Sequence, residues 1–116
     1  MDSVVRVLYV ERDLKFARRT AEQLEQANDQ FQVRTVIGMR SALQALNNDR
    51  YDCLVSEYKL PDGDGFELFE QIQDTYPDLS LILFTEHGNE SVASDAVTAG
   101  ISDYLQKTAG SDQYEL

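Results

Sequence analysis

Apolar runs alternate five times with amphipathic stretches along this chain. Val4-Val5-Arg6-Val7-Leu8-Tyr9-Val10 is rich in β-branched residues and nearly continuous, the pattern of a strand buried on both faces. Residues 14–27 follow with Leu14, Ala17, Ala21 and Leu24 at helical spacing. Phe31-Gln32-Val33-Arg34-Thr35-Val36 alternates apolar and polar residues, which predicts an edge strand. Residues 40–48 place Ala42, Ala45 and Leu46 on one helical face, and Cys53-Leu54-Val55 reads as a short buried strand. Pro61 and Gly63 mark a loop. Residues 65–75 then form a helix with Leu68, Phe69 and Ile72 inward, closed by Pro77. Leu79 to Phe84 is another buried strand. Asn89 is a candidate cap for a helix that ends at Gly100, and Ile101 to Leu105 is the last strand.

Such β-α alternation predicts an α/β domain, a parallel sheet with helices on both faces and right-handed crossovers. The alternating strand comes second in the chain and belongs at an edge. That predicts a flavodoxin-like, doubly wound five-stranded sheet of order 2-1-3-4-5. No linker, repeat or low-complexity tract divides residues 1–116, so a single domain is expected. The polar tail after Lys107 has nine residues, too few for a full fifth helix. Either the last helix is short or missing, or the chain was cut from a longer one. In both cases the sheet face beside the last strand is left partly open to a partner.

In open α/β sheets, ligands bind beyond the carboxyl ends of the strands, where the strand order reverses. Here that point lies between strands one and three, ~4.8 Å apart. Strand one delivers Glu11-Arg12-Asp13 and strand three delivers Glu57. Strand four brings Thr85 and Glu86, and the last strand brings Lys107. The expected fold thus gathers carboxylates, a guanidinium, a hydroxyl and an ammonium into one cleft.

Composition narrows the function. With 116 residues, 42% of them hydrophobic, the chain can bury one core. Twenty-one acidic residues against ten basic ones give a net charge of −11, and the only lysines are Lys15, Lys59 and Lys107. That surface repels nucleic acid and anionic lipid, so no direct nucleic-acid or membrane role is expected. An acid excess with few lysines resembles proteins adapted to high salt. No apolar run approaches the ~20 residues that cross a bilayer. Met1 to Arg6 leads straight into a strand without a signal peptide, so a cytoplasmic location is expected. Cys53 stands alone in an apolar run and reads as a buried, inert thiol. His87, the sole histidine, gives little support to histidine-based catalysis and reads as a loop residue. A flavin- or nucleotide-binding protein would need a phosphate-cradling loop after strand one. Glu11-Arg12-Asp13-Leu14 has no glycine and presents carboxylates instead.

Four segments together carry a family resemblance. They are Val7-Leu8-Tyr9-Val10-Glu11-Arg12-Asp13, the stretch from Tyr51 through Glu57-Tyr58-Lys59-Leu60-Pro61-Asp62-Gly63-Asp64-Gly65, Leu83-Phe84-Thr85, and Ala99 through Tyr104 to Lys107. In this order, across essentially the whole chain, they resemble the receiver domain of two-component response regulators (CheY-like). The resemblance implies a phosphorelay in which a kinase phosphohistidine, or a small phosphodonor, transfers phosphate to a central aspartate. It implies magnesium held by that aspartate, an acidic pair and a backbone carbonyl. Glu57 matches the phosphoacceptor position, Glu11 and Arg12 the acidic pair, and Thr85, Tyr104 and Lys107 the switch hydroxyl, aromatic and lysine. The implied partners are proteins: a histidine kinase, an output domain or a downstream protein, with a homodimer left open.

The sequence departs from that pattern. Glu57 replaces aspartate, and its extra methylene shifts the carboxylate by ~1.5 Å. A misplacement of ~1 Å can cost on the order of a hundredfold in rate. Arg12 is a permanent cation and cannot ligate magnesium. Glu86 follows Thr85 where a small residue is usual, and Thr108 stands where many members have proline. Without metal, Glu11 and Glu57 would repel by up to ~4 kcal/mol at ~4 Å and an effective dielectric of ~20. Arg12 or Lys107 can offset this. The expectation is a metal-independent pocket with no cofactor and no catalysis of its own, in which Glu57 bonds Arg12, Lys107 or both. The alternative is a working receiver that uses magnesium and accepts phosphate from a histidine kinase. Blander roles stand beside these: Thr85 as a strand end, Tyr104 as packing, Asp13 as a helix cap, and Asp62 and Asp64 as solvated residues that shape the loop. Asp13, Lys59 and Glu86 are expected at the pocket rim.

Overall fold

The computed structural model describes residues 3–86 and 90–107. Its elements are β1 (Val5–Val10), α1 (Leu14–Ala27), β2 (Phe31–Val36), α2 (Met39–Asn48), β3 (Cys53–Ser56), β4 (Lys59–Leu60), β5 (Gly63–Asp64), α3 (Gly65–Gln73), β6 (Ser80–Thr85), α4 (Glu90–Ala99) and β7 (Asp103–Gln106). Five strands form one sheet in the order β2-β1-β3-β6-β7, every neighbouring pair parallel. Counting only these five, this is the expected 2-1-3-4-5 order.

The strand patterns explain the placement. Leu8, Tyr9 and Val10 of β1 are 0% exposed, as a central strand covered on both faces requires. β2 pairs only with β1 and keeps its polar positions Gln32 and Arg34 exposed. On one face Leu8, Leu54, Leu81 and Leu83 pack against Ala42 and Leu46 of α2, Leu68 and Ile72 of α3, and Ala96 of α4. On the other face α1 buries Ala17 and Ala21. There the Phe16 ring lies 6.0 Å from that of Phe84, which lies 6.4 Å from Tyr9.

Several element boundaries lie one or two residues from expectation, α3 ending at Gln73 and β6 running Ser80–Thr85 among them. The last strand runs Asp103–Gln106, because Gly100 and Ile101 still turn out of α4: their N–H groups donate to Val97 O and Ala96 O, both at 3.1 Å. The loop around Pro61 and Gly63 contains the two-residue antiparallel hairpin β4–β5, with Lys59 opposite Asp64 and Leu60 opposite Gly63. Strands this short have no period to read. Asp64 is not merely a solvated loop residue; its carboxylate caps α3 by accepting from Glu67 N–H at 2.9 Å. Cys53 is half-buried rather than fully buried, and burial, then the charge of Asp52, pushes its thiol pKa up, which disfavours the reactive thiolate. Among the described residues no helix is long and apolar enough to cross a membrane. The expectations for His87, for Asn89 as a cap and for the tail after Lys107 fall outside the described residues.

Candidate functional site

Beyond the carboxyl ends of β1, β3, β6 and β7 the chain places Glu11, Glu57, Thr85 and Lys107 in contact. The register explains this. Val10 pairs with Ser56 and Ser56 with Leu83, so Glu11 and Glu57 emerge side by side with Thr85 next to them. Glu11 N–H donates to Val36 O and Glu57 N–H to Val10 O, both at 2.9 Å, which holds each backbone at the strand end. Lys107 N–H donates to Thr85 O at 2.9 Å, which fixes the lysine beside β6.

Glu11 and Glu57 are each 1% exposed, and Thr85 is fully buried. Buried charges need partners. Lys107 Nζ donates to Glu57 Oε2 at 2.8 Å and also to Glu11 Oε1, so one ammonium bridges both carboxylates. It lies 4.2 Å from the Phe16 ring centroid and 5.5 Å from that of Phe84, within cation–π range. Glu57 Oε1 accepts from the Thr85 hydroxyl and, at 2.7 Å, from Tyr58 N–H. Glu11 Oε2 accepts from Asp13 N–H at 2.9 Å, and Oε1 from the Tyr9 hydroxyl at 3.4 Å. Burial alone would pull the Lys107 pKa down. The hydrogen bonds to Glu11 and Glu57, together with their charges, outweigh it, and the net shift is upward.

Of the two cations left open as partners for Glu57, the structure uses Lys107 and not Arg12. The Arg12 side chain is exposed and makes no hydrogen bond or ion pair among the described residues. Glu11 turns inward, so its neighbour turns out, and the offset of paired carboxylates falls to Lys107. Asp13 is exposed; its carboxylate accepts from Phe16 N–H at 3.1 Å and caps α1. Lys59, the first residue of β4, and Glu86, just past β6, are exposed. Tyr104 is half-buried against the core of the α2–α3–α4 face, and its hydroxyl has no hydrogen-bond partner among the described residues. Asp62, expected as a solvated residue that shapes its loop, is exposed and also caps a helix. Both of its carboxylate oxygens accept helix amides of α2, from Met39 N–H at 2.7 Å and Arg40 N–H at 2.9 Å. The residue just before α2 is Gly38, which has no side chain with which to cap it.

The donor set does not suit a magnesium ion. Magnesium takes oxygen ligands in near-octahedral array. Here the two buried carboxylates are spanned by an ammonium, the next strand-end residue is a guanidinium, and no cluster of three or more metal-ligating side chains occurs among the described residues.

The structure is a doubly wound α/β domain with acidic residues, a hydroxyl and a lysine at its switch point, the arrangement that the receiver resemblance implies. The chain matches the response regulator receiver domain over residues 7–115 and belongs to that family. It is 29% identical over 113 residues to the C4-dicarboxylate transport transcriptional regulatory protein DctD of Rhizobium meliloti, covering 97% of this chain and 24% of that protein. It is 38% identical over 71 residues to the DNA-binding transcriptional regulator NtrC of Proteus hauseri, covering 61% of this chain and 15% of that protein. The chain thus spans less than a quarter of the length of either relative. A crystal structure of a CheY-like receiver domain protein from Methanospirillum hungatei shares the fold, with a TM-score of 0.83 at 23% identity, covering 97% of this chain and 89% of that one.

Proposed function

We propose that this receiver domain is atypical. Glu57 takes the phosphoacceptor position, the pocket works without magnesium or any other cofactor, and the domain acts through protein–protein contact. Its partners are a histidine kinase, an output domain or a downstream protein. The observation that carries this reading is the single Lys107 ammonium spanning Glu11 and Glu57, with the Thr85 hydroxyl on the same Glu57 carboxylate. The longer side chain matters here. Its extra ~1.5 Å carries the carboxylate to Thr85 and Lys107, the two groups that the family resemblance assigns to phosphoryl oxygens. Glu57 thereby holds the hydroxyl and the ammonium continuously in one arrangement. Two attractive pairs, Lys107 with each carboxylate, act against one repulsive pair, which favours the closed triad over an open one.

Family membership supports a second reading, a working receiver that takes phosphate from a histidine kinase onto Glu57 or a neighbouring aspartate. Incubation with a small phosphodonor and magnesium, followed by intact mass, separates the two. No gain in mass is expected. A hydroxylamine-labile gain of one phosphate would establish the working receiver instead. Magnesium with beryllofluoride should likewise leave the Glu57 resonances in place. Combining Arg12→Asp with Glu57→Asp should create magnesium binding, measurable by calorimetry. If it does not, Glu86 or the backbone also closes the site.

A further inference from the structure

Helix α2 has Gly38 as its N-cap residue, and its N-terminus is completed from a distant part of the chain. Ser41 Oγ accepts from Gly38 N–H at 3.2 Å. The next two amides, Met39 and Arg40, donate one to each oxygen of Asp62. Free helix N-terminal amides need acceptors, and a carboxylate also suits the positive end of the helix dipole. The Gly38 backbone is extended, with φ −158°, so its conformation does not demand glycine. A Cβ there would lie 2.8 Å from Asp62 Oδ1, so a side chain at position 38 would push the Asp62 carboxylate aside.

Asp62 lies in the turn between β4 and β5, directly downstream of Glu57 and Tyr58. The hairpin has two residue pairs, too few to hold its own shape in water. Its far end is fixed to α3. Gly65 N–H donates to Tyr58 O at 2.7 Å, and a Cβ at Gly65 would come 2.7 Å from Leu83 Cδ1 and 3.2 Å from Glu57 O. Asp62 ties the turn itself to α2 through two hydrogen bonds to the helix backbone.

We infer that Asp62 is a positioning residue for the site. By bridging to the α2 N-terminus it clamps residues 57–64 between α2 and α3, and so sets where the Glu57 carboxylate meets Lys107 and Thr85. The clamp acts through Tyr58, whose N–H donates to Glu57 Oε1. This inference rests on the reading of Glu57 as a carboxylate held in place by that network.

The test uses the full chain and two site reporters, the Glu57 side-chain carboxyl carbon resonance and hydrogen exchange of the Tyr58 amide. Asp62→Ala should shift the Glu57 signal and speed Tyr58 exchange roughly fivefold or more, the local effect of a lost helix cap. Asp62→Asn should restore both only in part, because its amide keeps one acceptor oxygen where the carboxylate offers two. Gly38→Ala should reproduce Asp62→Ala while leaving every residue of the hairpin unchanged. This second route keeps the test alive if Asp62→Ala fails to fold. A cap serving stability alone would lower the urea midpoint in Asp62→Ala and Gly38→Ala without moving either reporter, and that result overturns the inference. A phosphate gain on the unmodified chain would overturn the metal-independent reading instead, so the two failures are distinguishable.

Discussion

Lys107 concentrates the electrostatics of the pocket in one residue, its side chain 7% exposed and bonded to two carboxylates that are almost fully buried. Lys107→Met would leave Glu11 and Glu57 facing each other without a counter-ion. Removing one member of a buried ion pair costs about 3–5 kcal/mol, so the urea midpoint of this variant should fall sharply. Glu57→Gln should cost less, because Lys107 keeps Glu11. The pH dependence follows from the raised Lys107 pKa. A group whose pKa is raised on folding contributes stability in full below its unfolded value and loses it as pH rises through the folded one. The gap between wild type and Lys107→Met should therefore be flat near neutral pH. It should shrink only above about pH 10, the ordinary lysine range. A gap that closed near neutrality would mean that Lys107 is not held as an ammonium between the carboxylates.

At the scale of elements, capping decides what several acidic residues do. Asp13, Asp62 and Asp64 serve the N-termini of α1, α2 and α3 respectively. Asp13 touches the pocket only through its backbone N–H on Glu11, while its side chain caps α1. Asp13→Ala should therefore lower stability by about 1 kcal/mol and leave the Glu57 resonances unmoved; a shifted Glu57 signal would give the Asp13 carboxylate a pocket role. The strands and helices were legible because their apolar periods run over several residues, as in β1 and α1. The β4–β5 hairpin was not, because two residues show no period. The tie from Asp62 to α2 was not either, because local spacing says nothing about which helix end a turn will meet.

The whole molecule carries a net charge of −11, and most of its acidic residues are solvated. Self-repulsion of that size opposes the compact state and is relieved by salt. Raising sodium chloride from ~0.01 M to ~1 M shortens the screening length from ~30 Å to ~3 Å. The thermal midpoint should rise over that range, by an amount that reports the surface rather than the buried triad. A midpoint that falls with salt would show that surface ion pairs outweigh the repulsion.

The residues by themselves determined the α/β alternation, the edge position of β2 and the set of strand ends that supply Glu11, Glu57, Thr85 and Lys107, because hydrophobic period is a local property. They also marked Glu57 and Arg12 as departures from the receiver pattern. Local sequence could not choose which cation answers the paired carboxylates. Arg12 is adjacent to Glu11 in sequence yet faces solvent, whereas Lys107 reaches both glutamates from the far end of the chain. Only the parallel register of four strands decided that, by turning alternate side chains to opposite sides and setting β7 beside β6. Tertiary structure likewise turned Asp62 from a loop residue into the cap of a helix that supplies none of its own.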